Sequence, residues 1–102
     1  MYHFDRWQGL IESAQSERAL ESVLEDYAAS ILPSDIAPLP PLVHRVIATP
    51  DSDIAGHAVD LVRAVLDYSG DPDAEVVLRE MAQTFVAASH RLGQLRYWHA
   101  KP

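Results

Sequence analysis

The sequence contains five histidines, at positions His3, His44, His57, His90 and His99. Imidazole is a common metal ligand, and His57 with Asp60 has the i, i+3 spacing that places two ligands on one helix face. A metal centre needs further ligands from another element, and the sequence has no cysteine and no His-Glu-x-x-His motif. We therefore interpret His57 as a histidine at the edge of the core beside a surface acid, and we predict no metal and no cofactor.

A second histidine with possible chemistry is His90. The eight residues from Phe85 to Leu92, FVAASHRL, resemble the helix that carries the phosphorylated histidine of sensor kinases and phosphotransfer domains. The resemblance implies that His90 is exposed on a helix of a bundle. The acid and proline that usually follow the kinase histidine are absent, as is the Lys-Gly of phosphotransfer domains. The sequence given has 12 residues after His90, so we do not expect a sensor kinase. A phosphotransfer protein that uses His90 is our second hypothesis.

Other arrangements for catalysis are missing from the sequence. Serines are present, but no Gly-x-Ser-x-Gly elbow, phosphate-binding glycine loop or dinucleotide fingerprint occurs. Glu21 and Glu25 form a pair of carboxylates, but the helical pattern places both on an outward, solvated face rather than in a pocket. We therefore expect a protein that is not an enzyme.

The charge is divided unevenly along the chain. The formal net charge is −7, and all 15 acidic residues lie at or before Glu80. The five arginines in the same region leave residues 1–80 with 5 − 15 = −10. Residues 81–102 contain Arg91, Arg96 and Lys101 and no acid, so they carry +3. An acidic body repels a phosphate backbone, so we expect no binding to nucleic acid.

The spacing of apolar residues is helical nearly throughout, and no run alternates as a strand would. Ser16, Thr49-Pro50-Asp51 and Asp71-Pro72 are typical helix starts, and four prolines interrupt the helices between residues 33 and 41. We predict one domain, residues 1–102, that is all-α: a compact bundle of four to five helices with a Pro-rich corner and a long C-terminal helix. The predicted helices are about 4–14, 17–32, 41–48, 50–69 and 72–98, with a connector at 33–41.

The last predicted helix is about 40 Å long at 1.5 Å per residue, longer than a domain of this size needs. Its end either projects or folds back at Gly93. It carries aromatic and basic residues of the types enriched at binding hot spots. This cluster comprises Arg91, Leu95, Arg96, Tyr97 and Trp98. The other candidate surface is the acidic face predicted for helices 17–32 and 50–69, formed by Glu21, Glu25, Asp60 and Asp67.

The leading hypothesis is a non-enzymatic protein-binding module, such as an accessory subunit, adaptor, immunity protein or inhibitor. A protein partner is expected, through the acidic face or the C-terminal cluster. A self-associating structural subunit, for example a homodimer, is the third hypothesis. No apolar run approaches the roughly 18 residues that cross a bilayer, and Asp5 interrupts the position of a secretory apolar run. We therefore expect a cytoplasmic protein that does not contact membranes.

Overall fold

The computed structural model describes residues 4–67 and 71–100, with side chains from Arg6 to Asp67 and from Asp71 to Trp98. Within these ranges the fold is all-α and contains no strand, which confirms the predicted class. Five helices have at least eight residues, and a sixth is a single turn inside the Pro-rich connector. The elements are α1 (Phe4–Ser13), α2 (Glu17–Ser30), α3 (Pro33–Ile36), α4 (Pro41–Ala48), α5 (Ile54–Asp67) and α6 (Pro72–Ala100).

Two helix starts follow directly from the sequence. The hydroxyl oxygen of Ser16 accepts a hydrogen bond from the backbone N–H of Ala19 at 3.1 Å, which caps α2. Oδ1 of Asp71 accepts from the N–H groups of Asp73 at 3.1 Å and Ala74 at 3.3 Å, which caps α6. Both caps were predicted, because a capping side chain is recognised within three residues of its own position.

The Pro-rich connector differs from the prediction, because it contains the helical turn α3. Pro33 stands at the start of this turn, where a missing N–H costs nothing and the fixed φ of proline suits the helix. The connector then returns to the core at Leu39, which is buried. The corner is therefore a short helix between two bends rather than an extended strap.

The start of α5 also differs from the prediction. Thr49 does not cap α5, because its hydroxyl donates to the carbonyl of Arg45 at 3.0 Å and closes α4. The cap is Asp53, whose backbone has φ 52° and whose Oδ1 accepts from the N–H of Gly56 at 3.2 Å. A Cβ on Gly56 would overlap the carboxylate of Asp53, so glycine at this position permits the cap. The helix begins at Ile54, four residues later than expected.

Helix α6 is the centre of the bundle, and α1, α2 and α5 pack around it. Aromatic rings connect all four helices in edge-to-face contacts. Trp7 of α1 meets Tyr27 of α2 with ring centroids 5.4 Å apart, and Tyr27 meets Phe85 of α6 at 6.2 Å. On the other side of Phe85, the ring of His57 from α5 lies 5.8 Å away. Four helices are thus joined through one continuous row of rings.

The end of α6 neither projects freely nor folds back. The helix continues through Gly93, and its 29 residues give it a length of about 42 Å, close to the 49 Å long axis of the molecule. Arg91 is buried, and its Nε and Nη2 donate to the carbonyl of Ala14 at 3.0 and 2.7 Å. Arg96 forms an ion pair with Glu17 at 3.0 Å. These contacts fasten the end of α6 to the corner between α1 and α2.

We predict that Arg91→Met lowers the free energy of unfolding by about 2 kcal/mol, because a buried carbonyl loses two charged donors. Arg79→Met is the matched control on the same helix, since Arg79 is exposed and forms an ion pair with Glu75 one turn away. Its effect should stay below about 0.5 kcal/mol. Urea denaturation followed by circular dichroism measures both changes. Equal losses in the two variants would contradict this role of Arg91.

Candidate functional site

The C-terminal cluster is divided by the structure into buried and exposed residues. Arg91 and Leu95 are buried and hold the fold together. Arg96 is exposed but bound to Glu17. Tyr97 and Trp98 are 59% and 53% exposed, and the guanidinium of Arg91 lies 4.9 Å from the centre of the Trp98 ring. Of the five predicted contacts, the two aromatic residues therefore offer the accessible apolar surface.

The acidic residues predicted as one face lie in separate clefts. Glu21 lines a cleft of about 110 Å³, which also contains Glu17, Asp51 and Arg96. The residues Asp60 and Asp67 line a different cleft of about 310 Å³, shared with Arg45 and Arg63. The second cleft therefore has two acids and two arginines, and its formal charges balance. The clefts thus place Glu21 apart from Asp60 and Asp67.

Glu25 lies on α2 beside Asp51, which precedes α5. A hydrogen bond between the two side chains raises the pKa of Glu25, and the negative charge of Asp51 raises it further. The pKa shift of Glu25 therefore comes from a second carboxyl group at an exposed position. When both carboxyl groups are ionised, their repulsion acts between α2 and the α4–α5 connection. Protonation of Glu25 relieves this repulsion and therefore favours the fold.

The two histidines of interest have different surroundings. The Nε2 of His57 lies 2.8 Å from the carbonyl of Thr49, so this nitrogen carries the proton and donates to it. His57 thereby holds the α4–α5 connection against the core. His90 is exposed on α6, and its Nε2 lies 3.3 Å from the amide nitrogen of Gln94. Among the described residues, no group of three or more His, Asp or Glu side chains is placed to hold a metal ion.

Another feature of the surface is a groove of about 480 Å³ that the sequence did not reveal. Its floor is the outward side of α6, and its walls are α1 and α5. We call it the α6 groove. It is lined by Gln8 and Glu12 of α1, by Val62 of α5, and by Ala82, Gln83, Val86, Ala87, His90, Arg91 and Gln94 of α6.

The two walls of the α6 groove differ in character. On the α5 side, Val62 is 42% exposed, and Val86 of the floor is 46% exposed. On the α1 side, Gln8 donates to the carboxylate of Glu12 at 3.2 Å. Nearby, Arg91 donates from Nη1 to the side-chain oxygen of Gln94 at 3.1 Å. The groove is therefore apolar along one wall and polar along the other.

Two apolar residues of α5, Val62 and Leu66, lie outside the core. Helix α5 packs through its buried residues Ile54, Ala58, Leu61 and Ala64. A second apolar strip, Val59, Val62 and Leu66, has the i, i+3, i+7 spacing of one helix face and points outward. Leu66 is 75% exposed. The sequence contained one indication of this second strip. Apolar residues occupy a wider part of the surface of α5 than one helix face needs to pack against the core.

No family model matches the sequence, and no curated protein or solved structure shows significant similarity to it. None of the helices in the described part of the chain combines the length and apolar character needed to span a bilayer. The geometry of the surface is therefore the basis for a functional proposal.

We predict that Glu25→Gln raises the melting temperature at pH 7, because an amide donates to Asp51 without repelling it. The pKa of Glu25 is higher in the fold than its ordinary value of 4.5, so the wild type gains stability as the pH falls through that raised pKa. The advantage of Glu25→Gln should therefore shrink as the pH falls through the raised pKa and be smallest below pH 4.5. Thermal scans of the wild type, Glu25→Gln, Asp51→Asn and the double variant measure this coupling. Additive effects at pH 7 would show that the two carboxyl groups do not interact.

Proposed function

We propose that this chain is a non-enzymatic protein-binding module that holds a helical segment of a partner protein in the α6 groove. The observation that carries the proposal is the open groove itself, about 480 Å³ in volume, with Val62 and Val86 exposed along it. Apolar side chains gathered beside a concave surface are typical of protein-binding sites. An amphipathic helix laid into a groove is a recurrent way of using such a surface.

The dimensions of the groove suit a helix. Its lining residues on α6 run from Ala82 to Gln94, which corresponds to about 18 Å of helix axis, or about three helical turns. Ala82 and Ala87 are small, so a docked helix can approach α6 closely, at the 8–10 Å typical of packed helices. A bound helix would take the fourth position around α6, beside α1 and α5.

The exposed aromatic end of α6 extends this surface. Tyr97 follows His90 by seven residues, two helical turns, so both lie on the same side of α6. Trp98 is its neighbour and is also exposed. This placement supports a single binding surface made of the groove and the end of α6. Such a surface suits an accessory subunit, an adaptor, an immunity protein or an inhibitor.

We predict that a photo-crosslinking amino acid at Gln83, inside the groove, forms a discrete adduct with a protein in native lysate. The same amino acid at Ser22, an exposed position on α2, should not form it. Adding Val86→Gln should lower the yield at Gln83 about tenfold, because a contact worth about 1.4 kcal/mol is lost. Mass spectrometry of the adduct identifies the contacting segment.

Val76→Gln is the matched control for Val86→Gln, since Val76 is also an exposed valine of α6 but does not line the groove. It should leave the yield unchanged. Adducts of equal yield at Gln83 and Ser22, or a yield insensitive to Val86→Gln, would contradict the proposed site.

A further inference from the structure

We infer that the segment held by the α6 groove is an amphipathic helix whose apolar strip is flanked by lysine or arginine. This inference rests on the proposed function and adds the charge of the partner. The charge of the partner is inferred by comparing two kinds of charged side chain in the groove: those that are exposed to a ligand, and those that are buried and hydrogen-bonded within the protein.

Among the described residues that line the groove, two are formally charged, and of these Glu12 is the one available to a ligand. Arg91 is buried, and its guanidinium is bound to the carbonyl of Ala14 and to Gln94. Glu12 is exposed on the α1 wall, and the contact described for its carboxylate is a single hydrogen bond from Gln8. Because a carboxylate can accept several hydrogen bonds, Glu12 retains capacity for a cation. The accessible formal charge in the groove is negative.

Two further arginines, on α6 and α5, lie beside acids. Arg79 precedes Gln83 on α6, and Glu75 pairs with it at 2.7 Å. Arg63 lies in the cleft that it shares with Asp60 and Asp67. The chain as a whole carries −7. A cationic segment is therefore attracted both at Glu12 and by the field of the whole protein.

The same charge opposes the other occupants. A second copy would bring another net charge of −7 to the interface, and the two copies would repel each other. An anionic membrane surface or a nucleic acid would be repelled in the same way. The electrostatics therefore favour a cationic protein segment over a homodimer.

The difference between the walls sets the orientation of the bound helix. Its apolar strip, at positions i, i+3 or i+4, and i+7, would pack against Val62 and Val86. Its basic flank would face α1, where Glu12 lies. Three turns of helix fill the groove, so a segment of about 11 residues makes all of these contacts.

The test is a selection from a displayed library of 14-residue helical peptides on the full-length protein. The peptides share an alanine-rich background, carry Leu, Phe or Ala at the strip positions, and carry Lys, Glu or Gln at the flanking positions. Peptides that also bind the Val86→Gln variant are removed. We expect Lys to be enriched over Glu at the flank on the α1 side by at least tenfold. Glu12→Gln should weaken a selected peptide about threefold at low salt and much less at 1 M salt.

The outcomes separate the inference from the proposed function. Groove-dependent peptides with Glu at the flank, or with no charge preference, would overturn the inference and leave the binding module in place. Failure to select any peptide that distinguishes the wild type from Val86→Gln would reject both. A dimer in sedimentation equilibrium that Val86→Gln dissociates would show that a second copy occupies the groove, and would overturn the inference. Circular dichroism and melting temperature of Val86→Gln, compared with Val76→Gln, establish that the variant is folded.

Discussion

Phe85 is fully buried on α6, and its ring lies between Tyr27 of α2 and His57 of α5. Trp7 extends the row to α1 from the far side of Tyr27. These contacts help to fix which side of α6 faces the core, and the rest of the packing is built around that side. Each edge-to-face pair stabilises the fold by about 0.5–1.5 kcal/mol beyond simple burial. Together with the buried residues around them, the rings hold α6 by one side only.

The open surface follows from this one-sided packing. Helices α1, α2 and α5 cover the inward side of α6, while its outward side remains between α1 and α5. Ala82 and Ala87 lie along that side, where larger residues would have filled the space. The outward strip of α5 adds Val62 to the same edge. The fold therefore leaves its central helix accessible along about 18 Å of its length.

Features decided within a few residues were predictable from the sequence, and features decided across the chain were not. Ser16 and Asp71 were recognised as caps because their partners lie within three residues. Asp53 was missed because its left-handed backbone leaves no mark in the hydrophobic pattern. Arg91 was assigned to the surface because its partner, Ala14, is 77 residues away.

The groove belongs to the features that depend on the whole fold. Apolar residues on both sides of α5 are visible in the sequence, but which side meets α6 is settled only when the helices pack. Val62 lies outside the core, and Val86 lines the same groove. Both positions are decided by how the helices pack. The all-α class and the long last helix, by contrast, follow from periodicity alone and are confirmed.

The position of α6 in the chain order has a consequence for biosynthesis. The helix around which the bundle assembles is synthesised after α1 to α5. At about 5–20 residues per second, the earlier helices wait on the order of seconds before their central partner emerges. During that interval their apolar sides have no core to join. The nascent chain therefore completes its folding only after α6 is released from the exit tunnel, and chaperones that bind exposed apolar helices have time to act on it.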